Sequence, residues 1–291
     1  MLKTGEITLE KKEQIDRIRR KNGHDSASHS FDSLFLWQRD MDLSLCLREH
    51  AFAVRCAQAG DNAWFFPCGS PDEIARFVQD ILAEGHSAQF LYARDEDVEL
   101  LEHRFPGMFH ASETPESSEY LYDRAKYVSM SGKDFANIRW SVNRLKSHHK
   151  LAVEPLNASN MDEARGVFAR WAPRVGNTSY STDHETAPLL LEHIPNLDID
   201  GIIVYMDDQP EAVVAGFPLS ERSYDLAFAK AVDRENGLLH FARRSFVSTL
   251  PEQYTIINGE EDLGIPGLRN AKLLERPIGQ IKMYEISTIK K

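Results

Sequence analysis

The sequence predicts an α/β fold arranged in two domains. Three observations lead there. Through the first hundred residues, short β-branched or aromatic runs alternate with stretches of helical periodicity. From Ile202 onward the order is strand, strand, strand, loop, helix, strand, helix, strand. A chain of 291 residues is also long enough for two domains of ordinary size.

The elements follow in order. Leu9 to Lys21 is a charged helix with a thin apolar stripe of Leu9, Ile15 and Ile18, which predicts a solvated helix on a surface. Ser30 to Trp37 is a short helix. Phe52 to Cys56 and Ala63 to Pro67 are strands joined by the turn at Ala59-Gly-Asp-Asn. Pro71 opens a helix that Gly85 stops, with Ile74, Phe77, Val78, Ile81 and Leu82 at helical spacing. Gln89 to Tyr92 is a strand, Glu96 to His103 a short acidic helix, and Phe105-Pro-Gly a break.

Lys133 to Lys150 is the one basic helix with a clear pattern. Phe135, Ile138, Val142 and Leu145 form its apolar face. Arg139, Asn143 and Lys146 form a polar ridge beside it, and Arg144 and His148 another. Five basic residues against Asp134 give it +4, in a chain of net charge -11. It reads either as a solvated linker or as an anion site. Beyond it, Leu151 to Pro155 is a strand, and Asn160 to Trp171 and Glu185 to Ile194 are helices with Pro173 and Asn177 between them. Strands Ile202 to Met206, Ala212 to Leu219 and Tyr224 to Ala231 precede a polar loop at Asp233 to Gly237 and a helix from Leu238 to Leu250. The Tyr254 to Ile257 strand, the Ile265 to Leu274 helix and an Ile281 to Ile286 strand complete the chain.

Composition narrows the function. Hydrophobic residues make up 42%, and the mean hydropathy is -0.43. No run of eighteen apolar residues occurs, so no membrane span is expected. Met1-Leu-Lys-Thr-Gly-Glu lacks an apolar stretch, so no signal peptide is expected. Cys46, Cys56 and Cys68 match no zinc spacing and read as buried thiols of a cytoplasmic protein. The charge of -11 argues against coating DNA. There is no Gly-x-Ser-x-Gly elbow, phosphate loop or His-Glu-x-x-His, and no metal site is expected.

The stretch Tyr254-Thr-Ile-Ile-Asn-Gly-Glu-Glu-Asp-Leu-Gly-Ile-Pro-Gly-Leu-Arg-Asn-Ala-Lys272 carries the most chemistry. A buried-type strand ends at an acidic turn, Glu260, Glu261 and Asp262, and feeds a helix bearing Arg269 and Lys272 on one face. The acids could act as a general base or hold an ammonium. They could equally pair with Arg269 and Lys272, or favour the helix dipole.

This Asn-x-Glu-Glu-Asp-Leu-Gly-x-x-Gly-Leu-Arg-x-x-Lys pattern resembles the phosphatidylglycerol lysyltransferase C-terminal domain family, as does the Tyr120-x-Tyr-Asp-Arg124 segment leading to Gly132-Lys133 and the basic helix. The resemblance covers about Ser30 to Ile286 and implies two tandem GNAT-like acyltransferase domains, each a mixed sheet flanked by helices. It places an N-terminal domain at 1–125, a bridging helix at 126–150 and a C-terminal domain at 151–291. The strand order after Ile202 is that of the GNAT core. The implied activity is transfer of an acyl or aminoacyl group, from acyl-CoA or aminoacyl-tRNA as donor substrate, to a small amine or hydroxyl acceptor. The implied partners are a tRNA acceptor end or CoA.

On that reading Arg139, Arg144 and Lys146 meet phosphate. Arg234 and Gly237 stand where GNAT enzymes hold the pyrophosphate of acyl-CoA, at a helix N-terminus. Leu239 departs from the small residue expected there, and its side chain hinders close approach of phosphate. His240 reads as a packed or solvated helix histidine. The competing reading is a non-catalytic GNAT pair that binds a small anionic or amino-acid ligand.

Overall fold

The computed structural model describes residues 2–85, 87–175, 183–232 and 235–289. It holds two mixed sheets flanked by helices, the expected fold class. The helices are α1 (Lys12–Lys21), α2 (Phe31–Trp37), α3 (Pro71–Glu84), α4 (Asp95–Arg104), α5 (Arg124–Ser129), α6 (Ala136–His148), α7 (Met161–Val175), α8 (Asp183–His193), α9 (Leu238–Thr249) and α10 (Pro266–Leu274). The strands are β1 (Leu43–Leu47), β2 (Phe52–Cys56), β3 (Ala63–Cys68), β4 (Gln89–Ala93), β5 (Phe109–Glu113), β6 (Glu119–Asp123), β7 (Leu151–Pro155), β8 (Asp200–Met206), β9 (Gln209–Pro218), β10 (Ser223–Ala231), β11 (Ile256–Asn258), β12 (Gly279–Ile281) and β13 (Tyr284–Thr288).

The chain divides into two compact units. One comprises residues 1–119, 261–269 and 280–291, the other 120–260 and 270–279. These divisions differ from the sequence-based boundaries at 125 and 150. The basic helix α6 lies within the second unit.

In the first unit the six strands run β1-β2-β3-β4-β13-β5. α3 forms because Ser70 caps it, its Oγ accepting from Glu73 N, and Pro71 fits its first turn. Its stripe of Ile74, Phe77, Val78 and Ile81 packs on Trp64, Phe66 and Phe90. Each such side chain contributes about 1.5–3 kcal/mol by leaving water. β4 and β5, separated in sequence by α4, do not pair with each other. β13 fills the place between them, antiparallel to both, and buries Ile286 in this core. The last strand therefore completes the first sheet, not the C-terminal one.

α1 also departs from expectation. Asp16 and Arg19 are buried along with Ile15 and Ile18. Lys12 bridges Asp16 at 2.9 Å and Asp32 at 3.1 Å, and Arg19 donates to the Ser26 carbonyl at 2.8 Å. Burying these charges is tolerable because they are paired. Pro173 lies inside α7, not in a break after Trp171, and Asn177 lies outside the described residues.

In the second unit the sheet runs β6-β11-β10-β9-β8-β7, with β12 beyond β6. Its core gathers Ile202, Val204, Val214, Tyr224, Phe246, Val247 and Leu145, so α9 and α6 contribute to one core with the sheet. β10 and β11 pair in parallel, whereas β11–β6, β10–β9, β9–β8 and β8–β7 are antiparallel.

Candidate functional site

The second unit's sheet opens at one place. β10 is nine residues long, but β11 pairs with it only from Ser223–Ile256 to Asp225–Asn258. On its other edge β10 shifts register against β9 between Asp225 and Phe228. Such a bulge bends a strand. Past Asn258, Gly259 lies against the Tyr122 ring, where a Cβ would come within 2.6 Å, and Glu260 turns the backbone at φ 57°. β10 and β11 thus part beyond Asp225 and Asn258, and β10 runs on to Ala231 without β11 beside it. That crevice is where α/β sheets bind ligands. By contrast, the first unit holds a small pocket of about 40 Å³ lined by Val98, Leu101, Glu102, Phe105 and Phe109, room for a few water molecules.

α9 starts at the carboxyl end of β10. Gly237 caps it at φ 101°, a conformation that suits glycine. A Cβ there would also lie 2.6 Å from the Ser141 carbonyl oxygen of α6. The bare α-carbon at this loop therefore accommodates the backbone of the basic helix. Leu239 is half-buried in the first turn, and Arg234 lies outside the described residues.

The basic residues of α6 do not converge. Arg139 donates to the carbonyls of Met130 and, at 2.7 Å, Gly132, closing the turn before the helix. Lys146 lies 5.3 Å from the Phe241 ring of α9. Arg144 points elsewhere, over the Trp140 ring at 5.5 Å, and Trp140 is 61% exposed.

The acidic turn is divided between the units. In the second unit Glu260 is half-buried; its N–H donates to Asn258 Oδ1 at 2.8 Å and its carbonyl accepts from Tyr120 N at 3.0 Å. Lys272 donates its ammonium to the Gly259 carbonyl. In the first unit Glu261 is half-buried and Asp262 fully buried. Asp262 accepts from Gly264 N at 2.9 Å and from Arg269 Nε at 2.8 Å and Nη2 at 3.0 Å. This is the pairing weighed in the sequence as the alternative to catalysis.

The sequence reading set aside a cluster that the fold assembles. His240, in the first turn of α9, meets Glu275 with Nδ1 to Oε1 at 2.6 Å. Glu275 is 2% exposed and also accepts from both terminal nitrogens of Arg244. The Arg244 guanidinium lies 4.6 Å from the Tyr127 ring. Burial by itself raises the Glu275 carboxyl, but the His240 hydrogen bond and the Arg244 charge outweigh it and hold it at about 2. A buried carboxylate, ionised and fixed, thus orients a partly exposed imidazole. The only hint in the sequence was an acid directly after the apolar pair Leu273-Leu274. Nε of Arg244 and Nε of Arg243 are buried without an acceptor.

Among the described residues no group of His, Cys, Asp and Glu could hold a metal ion, and no helix is long and apolar enough to cross a membrane. No curated protein sequence matches the chain. A conserved protein of unknown function from Bacteroides thetaiotaomicron VPI-5482 is similar at TM-score 0.90 and 23% identity, covering 100% of both chains. The C-terminal domain of a candidate lysylphosphatidylglycerol synthetase from Agrobacterium fabrum is similar at TM-score 0.68 and 17% identity, over 96% of this chain and 91% of that one. A tandem GNAT protein from the clavulanic acid biosynthesis pathway is similar at TM-score 0.52 and 8% identity, over 98% and 97%. These likenesses establish the tandem GNAT-like fold. The family described as phosphatidylglycerol lysyltransferase, C-terminal, matches residues 19–284. With that match spanning nearly the whole sequence, the chain belongs to the phosphatidylglycerol lysyltransferase C-terminal family.

Proposed function

We propose that the protein is an acyl or aminoacyl transferase. It moves the group from aminoacyl-tRNA or an acyl-CoA to an amine or hydroxyl acceptor. The observation that carries this is the parting of β10 and β11 beyond Asp225 and Asn258, in a family named for aminoacyl transfer. The opening receives the reacting ends of donor and acceptor. Glu260, at the end of β11, holds the acceptor's ammonium or takes its proton, and Glu261 is the adjacent candidate. Asp262 is held by Arg269, which suits it to shaping the turn. Arg144 and Lys146 supply positive charge to the phosphates of the donor, and Arg139 keeps the turn before α6 in place. Gly237 and Lys272 complete the donor side, and Arg234 is assigned to it from the sequence alone. A cytoplasmic location, where charged tRNA and CoA are made, goes with this reading.

The experiment uses purified full-length protein with lysyl-tRNA labelled in the lysyl group and, separately, labelled acetyl-CoA. Vesicles of phosphatidylglycerol or free lysine serve as acceptors. Label leaving one donor for an acceptor, in proportion to enzyme, supports the reading. Label that stays on both donors overturns it in favour of a binding protein.

A further inference from the structure

We propose that His240 is the catalytic base of the second unit, with Glu275 as its positioning residue. This rests on the transferase reading above and names the group that moves the proton.

The hydrogen bond defines the imidazole. Glu275 is ionised and can only accept, so Nδ1 of His240 carries the proton it shares with Oε1 at 2.6 Å. In the neutral ring the other nitrogen, Nε2, then keeps its lone pair. Glu275 cannot turn away to release the ring, because Arg244 grips both of its oxygens from the next turn of α9. Tyr127 backs the guanidinium from α5. The imidazole itself keeps a fifth of its surface exposed (21%), while its partner keeps 2%. An oriented, accessible base on a buried carboxylate is the arrangement that general-base catalysis needs. Its place also fits. α9 follows β10 in the chain and His240 is in its first turn; its partner Glu275 lies three residues after Lys272, whose ammonium reaches the Gly259 carbonyl next to Glu260. The charged and titratable groups facing the pair are Arg243 and Arg244 on α9, Tyr127 on α5 and Tyr122 on β6.

The step balances without another reactant. The acceptor's amine nitrogen attacks the carbonyl carbon of the donor's ester or thioester, and a C–N bond forms. Nε2 takes the proton from that nitrogen. The C–O or C–S bond then breaks, and the imidazolium returns the proton to the departing oxygen or sulfur. Glu275 stays ionised throughout.

The test combines rate with tautomer. His240→Gln keeps the Glu275–Arg244 pair, so the fold is retained; transfer from lysyl-tRNA or acetyl-CoA is expected to fall about 10²- to 10⁴-fold. Glu275→Gln is expected to lower kcat with KM little altered, because the ring loses the carboxylate that fixes its orientation and tautomer. Nitrogen-15 NMR of the wild type is expected to show His240 protonated at Nδ1. A His240→Gln variant with the wild-type rate overturns the proposal. A ring protonated at Nε2 instead overturns it as well, whatever the donor. If neither donor loses its group to the wild type, the transferase reading falls and the catalytic role of His240 falls with it, while the tautomer still decides whether the pairing exists.

Discussion

Asp262 and Arg269 form a two-pronged pair in which the carboxylate is fully buried and the guanidinium keeps 44% of its side chain exposed. This asymmetry makes the two truncations unequal. Removing the arginine strands a charge without water, which costs about 3–5 kcal/mol. Removing the carboxylate's charge leaves an arginine that can turn to solvent, and the loss is nearer about 1–2 kcal/mol. Arg269→Ala is therefore expected to lower the urea midpoint more than Asp262→Asn. Equal midpoints would show that the pair is not what holds the turn.

Acid should weaken the first unit through its buried histidines. The Phe66 carbonyl can only accept, so His29 Nε2 donates to it at 2.9 Å. His29 Nδ1 then accepts from Ser28 Oγ at 3.1 Å, Ser28 from Ser26 at 3.2 Å, and Ser26 from His24 Nδ1 at 3.2 Å. His24 Nε2 is left buried with no partner. Burial pushes His24 well below its usual 6.5 and His29 to about 3, helped by the nearby arginines 19 and 94. Both rings stay neutral when folded, whereas the unfolded rings take up protons near 6.5. Their contribution is complete above pH 6.5 and is lost as pH falls, by up to about 1.4 kcal/mol per unit for each ring. Between pH 6.5 and 5 the unfolding free energy should drop by up to about 4 kcal/mol. Glu275, whose depressed carboxyl matters only below its usual 4.5, does not contribute in that window. Urea titrations at several pH values check this, and replacing both histidines by glutamine should flatten the slope.

What could be read in the sequence was local. α3 was legible at both ends because Ser70, Pro71 and Gly85 punctuate it and its apolar spacing is helical. The apolar face of α6 was equally plain, since Ile138, Val142 and Leu145 repeat every three or four residues and are buried. The Asp262–Arg269 pair was readable as an alternative because the two lie seven residues apart. β1 and β5 were missed; β5 is largely exposed at a sheet edge, so no alternation marks it. Nothing in Tyr284–Thr288 says which sheet it joins, because strand pairing across 190-odd residues depends on a gap left by β4 and β5. His240 was set aside for the same reason. Its partner Glu275 is 35 positions away and is brought to it only when α9 and the end of α10 pack together.

Glu260 should affect binding more than chemistry. It sits at positive φ, a strain that glutamine keeps and glycine would relieve. Glu260→Gln therefore changes charge without changing the turn. If the carboxylate holds the acceptor's ammonium, its loss removes one charged hydrogen bond of about 1.5–3 kcal/mol, so KM for the amine should rise roughly 10- to 150-fold with kcat little altered. Glu261→Gln is the matched comparison. A fall in kcat at unchanged KM would instead make Glu260 the proton acceptor and displace His240 from that role.

The two arginines of the basic helix should behave oppositely under charge reversal. Arg139 closes the turn before α6 through the carbonyls of Met130 and Gly132. A glutamate there would set a carboxylate against two carbonyl oxygens, so Arg139→Glu should cost stability, by about 1–3 kcal/mol for acceptors left unsatisfied. Arg144 has no such duty. It lies over an exposed Trp140 on the solvent face, and Arg144→Glu should leave the melting temperature within a degree or two, as surface substitutions usually do. If that face meets phosphates of a donor tRNA, Arg144→Glu should weaken binding of uncharged tRNA strongly at low salt. The difference from wild type should shrink as salt rises, and the slope of log K against log salt should fall by about one phosphate's worth, roughly 0.7–0.9. Fluorescence anisotropy of labelled tRNA between low and physiological salt measures both. A stable Arg144→Glu protein that binds tRNA with the wild-type salt slope would show that α6 is a solvated face only.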